Sequence, residues 1–265
     1  IKIVIAGASA FSVPTVKRLN DLDYQIAAVL TQPDRAAGRG LKQTKNPVKL
    51  FAEKVGLTLL DFESLDGENV FETIKKLSPD LLITIAYGGL IPQKILDIPR
   101  CESINIHPSL LPLWRGASPI QSAILNGDTK TGISLIRMIP ELDAGPIFAV
   151  TETSIDPEEN TLTLSNRLAN MSAILMADNI EDIVNKNIFP NEQEHQKATY
   201  ASKLTKQDAI INWTRPASEI LKKIKAFNPW PIAHSILEQK NFRIWDAKLS
   251  KQINDISKPG SIIKT

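Results

Sequence analysis

The chain has 265 residues, of which 43% are hydrophobic, and carries a net charge of +2, values ordinary for a globular protein large enough to divide into two domains. No apolar run approaches the roughly 18–20 residues that a bilayer span needs, and Ile1–Gly7 lacks the basic start and small-residue cleavage site of a signal peptide. The single cysteine, Cys101, excludes an internal disulfide and any cysteine-rich metal centre and fits a reducing cytoplasm.

Ile1–Ala6 is a continuous apolar strand that ends at Gly7-Ala8-Ser9. Val13, Val16 and Leu19 share one face of a helix, and Tyr24–Leu30 gives a second strand, which completes a βαβ unit. The dinucleotide fingerprint G-x-G-x-x-G is missing, so a nicotinamide cofactor has little support. Residues 35–52 contain Arg35, Arg39, Lys42, Lys45 and Lys49 and no acid. They read either as a solvated loop or, with Gly38 and Gly40 beside two arginines, as a phosphate-gripping one.

Further along, Leu57–Leu60 is a short strand and Val70, Phe71, Ile74 and Leu77 mark a helix. Asp80–Ala86 is nearly all apolar, as in a strand covered on both faces, and runs into Tyr87-Gly88-Gly89. Ile91–Ile98 reads as a short helix. In Ser103–His107 polar and apolar residues alternate, so Asn105 and His107 point to one side of a strand. Pro108 ends that strand, and a stiff loop follows with Trp114 and Arg115 among prolines. In open α/β sheets, ligands bind beyond the carboxyl ends of the strands.

Ile120–Leu125 is helical, and Thr131–Ile139 and Ile147–Ile155 are strands separated by a turn, Glu141-Leu142-Asp143-Ala144-Gly145-Pro146. Leu164, Leu168, Met171 and Leu175 set the face of a long helix reaching about Val184. Residues 186–203 are polar and irregular and read as a linker. Beyond them Ile220, Leu221, Ile224 and Phe227 define an amphipathic helix carrying Lys222, Lys223 and Lys225. Strands follow at about Ala233–Leu237 and Asn241–Ala247, with a third starting near Gly260. The expected organisation is a main domain over 1–185, a linker over 186–203 and a small β domain over 204–265. Strands alternating with helices make the main domain α/β with a mostly parallel sheet.

Charge divides along the same line. Residues 204–265 hold 11 Lys/Arg against 5 Asp/Glu. A basic terminal domain on an acidic body fits an anionic partner, nucleic acid first, or a lysine excess that merely aids solubility. The three histidines, His107, His195 and His234, have no metal-ligand spacing, and no G-x-S-x-G marks a serine nucleophile.

Asn105, His107 and an acid are what remain. An amide and an imidazolium can steady an oxyanion, while a carboxylate orients the histidine, raises its pKa and helps remove an amine proton. That set suits acyl transfer between nitrogens. Asp143 is the candidate carboxylate, although an Asp before Gly-Pro is usually a turn residue and spacing does not show that it meets His107.

The stretch Ser103–Gln121, with N-x-H-x-S-L-L-P followed by a Gly and Pro loop, resembles the signature of the folate-dependent formyltransferase family. Ile139–Pro146, with Leu142-Asp143-Ala144-Gly145, is similar to that family's aspartate loop. The resemblance implies a Rossmann-like catalytic domain and the catalytic residues Asn105, His107 and Asp143. It implies 10-formyltetrahydrofolate as formyl donor, held by Ser109, Leu110, Leu111 and Pro112 and by Tyr87, Gly88, Gly89, Leu90 and Ile91, with no metal.

Three further stretches resemble members that formylate initiator methionyl-tRNA: Gln32-Pro33-Asp34-Arg35 through Gly38-Arg39-Gly40, Thr199-Tyr200-Ala201 with Ile211-Asn212-Trp213, and Ala226–Pro231. They imply an OB-like β-barrel that binds tRNA, with Arg35, Arg39, Lys42, Lys222 and Lys223 as tRNA contacts, in a cytoplasmic monomer. The barrel is expected to be incomplete, since the chain stops at Thr265. A 10-formyltetrahydrofolate hydrolase, an amino-sugar formyltransferase and a catalytically silent nucleic-acid-binding protein are the alternatives.

Overall fold

The computed structural model describes residues 1–37, 42–250 and 258–262. Its elements in chain order are β1 (Lys2–Gly7), α1 (Val13–Asp21), β2 (Gln25–Leu30), β3 (Arg35–Ala37), β4 (Lys42–Thr44), α2 (Pro47–Val55), β5 (Leu59–Leu60) and α3 (Glu68–Leu77). Next come β6 (Leu81–Ile85), α4 (Gln93–Leu96), β7 (Glu102–His107), β8 (Arg115–Gly116), α5 (Pro119–Asn126), β9 (Lys130–Arg137) and β10 (Ile147–Ser154). The chain continues through α6 (Thr161–Val184), β11 (Tyr200–Ala201), α7 (Ala217–Ala226), β12 (His234–Leu237) and β13 (Lys240–Arg243).

Seven strands form one sheet in the order β10-β9-β7-β6-β1-β2-β5. β1, β2, β5, β6 and β7 are parallel, and β9 joins β7 antiparallel. The mostly parallel sheet expected from the strand–helix alternation is therefore present. β1 has β2 on one side and β6 on the other, so strand order reverses there, which opens a crevice at the carboxyl ends. The strands are near-continuous apolar runs because both faces are buried. Val4, Ala6 and Leu82 pack with Val70 and Ile74 of α3 and Ile95 of α4, while Ile3, Ile5 and Ile83 on the opposite face are fully buried as well.

The chain clusters into two compact units. The first comprises Ile1–Arg115, Gly132–Glu152 and Asn166–Thr199, and the second Gly116–Thr131, Thr153–Ser165 and Tyr200–Thr265. In the first, α6 buries Leu164's helical successors Leu168, Ser172, Ala173, Met176, Ile180 and Ile183, while Met171 and Leu175 are only half-buried. The face is turned from the expected one because small residues let the helix approach α1 closely; the hydroxyls of Ser172 and Thr15 stand 3.4 Å apart.

The second unit is built around α5, α7 and the β12–β13 hairpin. Ile211, Ile224 and Ala233 form its core with Ile220 and Ile244 against them. Thr161 donates its hydroxyl to the Ala226 carbonyl at the end of α7 (2.6 Å). The strand expected near Gly260 is a turn among the described residues: Gly260 has φ +85° and lies against the Trp213 ring. Among the described residues no helix is long and apolar enough to cross a membrane.

Candidate active site

β7 brings Asn105 and His107 to one side of the sheet, as the alternation predicts. Asn105 lies opposite Thr84 of β6 and Ile136 of β9, and His107 opposite Ser134 of β9. The loop after β7 folds back on its own strand. The Ser109 N–H bonds the His107 carbonyl (3.0 Å), the Ser109 hydroxyl bonds the Leu113 carbonyl (2.5 Å), and the Leu113 N–H bonds the Leu110 carbonyl (3.0 Å). The buried Ser134 hydroxyl completes the turn by donating to the Ser109 carbonyl (2.8 Å) and accepting from the Leu111 N–H (3.2 Å).

That loop ends at Trp114, whose φ of +61° is unusual for a bulky residue. The turn aims the Trp114 carbonyl at His107 Nε2, 2.9 Å away. A carbonyl only accepts, so Nε2 carries a proton in every state of the ring. Nδ1, the other ring nitrogen, faces Oδ2 of Asp143 at 3.6 Å. Oδ1 of Asp143 accepts a hydrogen bond from Asn105 Nδ2 at 3.1 Å. The structure thus brings together the three residues singled out for catalysis.

The aspartate loop has a backbone reason for its sequence. Asp143 has φ +50°, and Ala144 N–H closes the turn onto the Glu141 carbonyl (3.3 Å). At Gly145 any Cβ would collide with the Arg137 carbonyl of β9, so only glycine lets the turn sit flush on that strand. Ala86, Trp114 and Asp143 all have positive φ at the loops beyond the strand ends, a concentration of strained backbone typical of functional sites.

His107 is 4% exposed. Burial pushes its pKa below the ordinary value, with the Asp143 charge and the Trp114 carbonyl opposing. The carboxylate does act upward as expected, but desolvation of the imidazolium outweighs the ion pair. In the neutral ring the Nδ1 lone pair faces a carboxylate oxygen, which accounts for their 3.6 Å separation. A proton arriving at Nδ1 would lie between the two groups.

The other predicted residues fall as follows. Ser109 is fully buried and Leu111 is 7% exposed, so both build the loop itself. Tyr87 is buried and burial raises its phenol pKa. Gly88 has φ +77° with open space around it. Leu90 is 88% exposed, and Leu113 and Leu142 are exposed too. Two buried hydroxyls, Ser9 Oγ after β1 and Thr84 Oγ1 on β6, have no partner among the described residues. Unpaired polar groups and bare leucines at one end of a sheet suit a flat, polar-edged ligand. No cluster of three or more His, Cys, Asp or Glu among the described residues is arranged to hold a metal ion.

Of the cationic positions, Arg35 and Lys42 lie on the paired strands β3 and β4, and Arg39 lies outside the described residues. On α7, the Lys222 ammonium is 3.4 Å from the Asn126 carbonyl. The Lys223 ammonium bonds the Ile210 carbonyl (2.6 Å) above the Phe227 ring, and burial lowers its pKa.

Two residues of the site went unread in the sequence. Arg115, in the loop after β7, is only 2% exposed, and Gln193, in the expected linker, is 5% exposed. The segment around Gln193 is no bare connector. Asn191 pairs with Ile147 of β10 through N–H···O bonds of 2.7 and 2.9 Å, and Thr199 holds the backbone of Trp114 and Arg115.

Comparison with known proteins places this arrangement. The family model described as formyl transferase matches residues 1–180, and that of the formyl transferase C-terminal domain matches residues 203–265. The chain is 41% identical to the methionyl-tRNA formyltransferase of Methylococcus capsulatus, over 99% of this chain and 85% of the relative. Identity to the methionyl-tRNA formyltransferase of Bacillus licheniformis is 37%, over 99% of this chain and 83% of the relative. Among solved structures, HypX from Aquifex aeolicus in complex with tetrahydrofolic acid has the same fold. It gives a TM-score of 0.71 at 16% identity, covering 98% of this chain and 40% of that one. With both family models matched and such identity along its length, the chain belongs to the formyl transferase family.

Proposed function

We propose that the protein transfers a formyl group from 10-formyltetrahydrofolate to the amino group of methionine on initiator tRNA, for translation initiation. The observation that carries this reading is the convergence of Asn105, His107 and Asp143 at the carboxyl end of β7. The names of the relatives in Methylococcus and Bacillus support the acceptor, and the folate-bound neighbour supports the donor.

The donor supplies an activated formyl carbonyl beside a tertiary nitrogen. The exposed leucines Leu90, Leu113 and Leu142 and the open backbone at Gly88 are suited to its flat ring system. As the amine attacks the formyl carbon, Asn105 Nδ2–H and a protonated His107 Nδ1 steady the oxygen that becomes negative; that growing charge, with Asp143, favours the imidazolium that burial disfavours at rest. Asp143 compensates the imidazolium charge and takes up the proton lost by the amine, directly or through water. The proton taken from the amine passes on to the departing nitrogen of the donor as the carbon–nitrogen bond breaks, so the site returns to its starting state and no covalent enzyme intermediate is needed. Arg35, Arg39, Lys42, Lys222 and Lys223 are assigned to the tRNA. Residues 1–185 are the catalytic domain, and 204–265 the tRNA-binding part of a cytoplasmic monomer.

The test is to mix the protein with methionine-charged initiator tRNA and 10-formyltetrahydrofolate and assay formylmethionine. Formate release that ignores added tRNA would overturn the reading in favour of hydrolysis.

A further inference from the structure

Gln193 is buried with both ends of its amide committed. Its Oε1 accepts from Arg115 Nε (3.1 Å) and Nη2 (2.7 Å). Its Nε2 donates to the carbonyls of Asp143 (2.8 Å) and Gly145 (2.7 Å). The amide orientation follows from chemistry alone. A guanidinium only donates, so Oε1 faces Arg115, and the two N–H bonds are left for the two carbonyls. Arg115 Nη2 also contacts Nδ1 of His195 (3.1 Å), which must accept. Arg115 has no carboxylate among its ion-pair partners in the described residues. A buried guanidinium is costly unless its donors are used, and here they serve to aim an amide.

The same short stretch holds the other half of the catalytic pair. Thr199 Oγ1 accepts the Trp114 N–H (2.9 Å), and the Thr199 carbonyl accepts the Arg115 N–H (2.9 Å). Trp114 in turn holds His107 Nε2 through its carbonyl. Residues 193–199 therefore fix His107 through Trp114 and Asp143 through Gln193.

We propose that Gln193 is a positioning residue for the reaction. Aimed by Arg115, its amide clamps the backbone on both sides of Ala144 and so sets where the Asp143 carboxylate meets His107 and Asn105. This rests on the formyl-transfer reading only for its effect on turnover; the geometric claim stands on the bonds themselves.

Two variants separate positioning from packing. Gln193→Met removes all four bonds at similar size. Gln193→Glu keeps the acceptor for Arg115 but replaces two donors with lone pairs facing two carbonyls. If the amide positions Asp143, both variants lower kcat, by up to about 100-fold, as a displacement of about 1 Å does, while KM for both substrates stays near the wild-type value. A role limited to packing or to neutralising Arg115 predicts a Glu variant as active as the wild type, which would overturn the proposal.

A second readout needs no turnover. Asp143 is the ionisable group whose charge acts on the His107 ring. NMR titration of histidine-labelled protein should show the His107 pKa lower in Gln193→Met than in the wild type, because the carboxylate has moved away. An unchanged titration overturns the proposal. A wild-type protein that makes no formylmethionine refutes the formyl-transfer reading instead, and the titration then decides the positioning claim alone.

Discussion

Trp114 offers its carbonyl oxygen to His107 Nε2 at 2.9 Å, and this one bond decides which ring nitrogen can do chemistry. With Nε2 permanently protonated, every change of protonation occurs at Nδ1, the atom directed at Asp143 and at the space beside Asn105. The neutral imidazole is thereby held in a single tautomer, and Nδ1 is left as the atom that gains or loses a proton.

In the proposed reaction Asn105 is the neutral donor. One of its amide hydrogens already holds Asp143 Oδ1, so the side chain both anchors the carboxylate and keeps a second N–H for the oxyanion. Replacing it by alanine removes a donor that the transition state uses more than the ground state. Asn105→Ala is expected to lower kcat for formylation by about 100- to 1,000-fold with a small change in KM. Single-turnover kinetics with saturating donor will check this. Near-normal turnover removes Asn105 from the mechanism.

Burial of His107 also links stability to pH. Its folded pKa is depressed below that of an ordinary imidazole, chiefly by desolvation. Between the folded and unfolded values the unfolded chain binds more protons, so stability falls as pH drops from neutral through 6.5 towards the folded pKa. Urea midpoints measured across that window should decline with acidity in the wild type and decline less in His107→Gln. A His107→Gln protein with the full wild-type acid sensitivity would assign the effect to other groups.

The site was legible to unequal depths. β7 could be read because alternation and a terminating proline are local signals, and Asn105 and His107 fall on one face whatever the rest of the chain does. Asp143 is a candidate from its turn alone, but only the resemblance ties it to His107, since nothing in a turn sequence says which strand end it will face. Gln193 and Arg115 were hidden for the opposite reason. A glutamine in a polar, irregular run looks solvated, and its burial is caused by two carbonyls from a distant turn. At His107 the upward pull of Asp143 is legible, because proximity to a carboxylate can be guessed from sequence, but the loss of water around the ring that outweighs it is not. On α6 the apolar residues Met171 and Leu175 outranked Ser172 and Ala173 by hydropathy, yet close helix packing favoured the small pair.

The proposed function assigns the basic stretch 35–49, Arg39 included, to the nucleic acid. A phosphate contact contributes affinity through counterion release and leaves the reacting groups untouched. Arg39→Ala is therefore expected to raise KM for the tRNA and to reduce the magnitude of the log–log salt slope of binding by about 1, while binding of the folate donor is unchanged. Filter binding across a salt series, with donor affinity measured separately, tests both halves. An unaltered tRNA rate and slope refute the assignment.

Ser134 shows how β9 supports the loop that aims Trp114. Its hydroxyl is fully buried, accepts the Leu111 N–H and donates to the Ser109 carbonyl. Alanine at this position leaves one backbone donor and one acceptor unpaired where water has little access, which costs about 1–3 kcal/mol. The loss need not stay global, because those two groups belong to the turn between His107 and Trp114. A loosened turn lets the Trp114 carbonyl drift from Nε2, and the ring loses the bond that fixes its orientation. Ser134→Ala is thus expected to lower the urea midpoint and, in the folded protein, to reduce kcat. Ser134→Cys should restore neither fully, since a thiol donates weakly. Equilibrium unfolding measured beside formylation separates the two effects. A variant that loses stability by the expected amount but keeps wild-type kcat would show that the His107–Trp114 bond holds without support from β9.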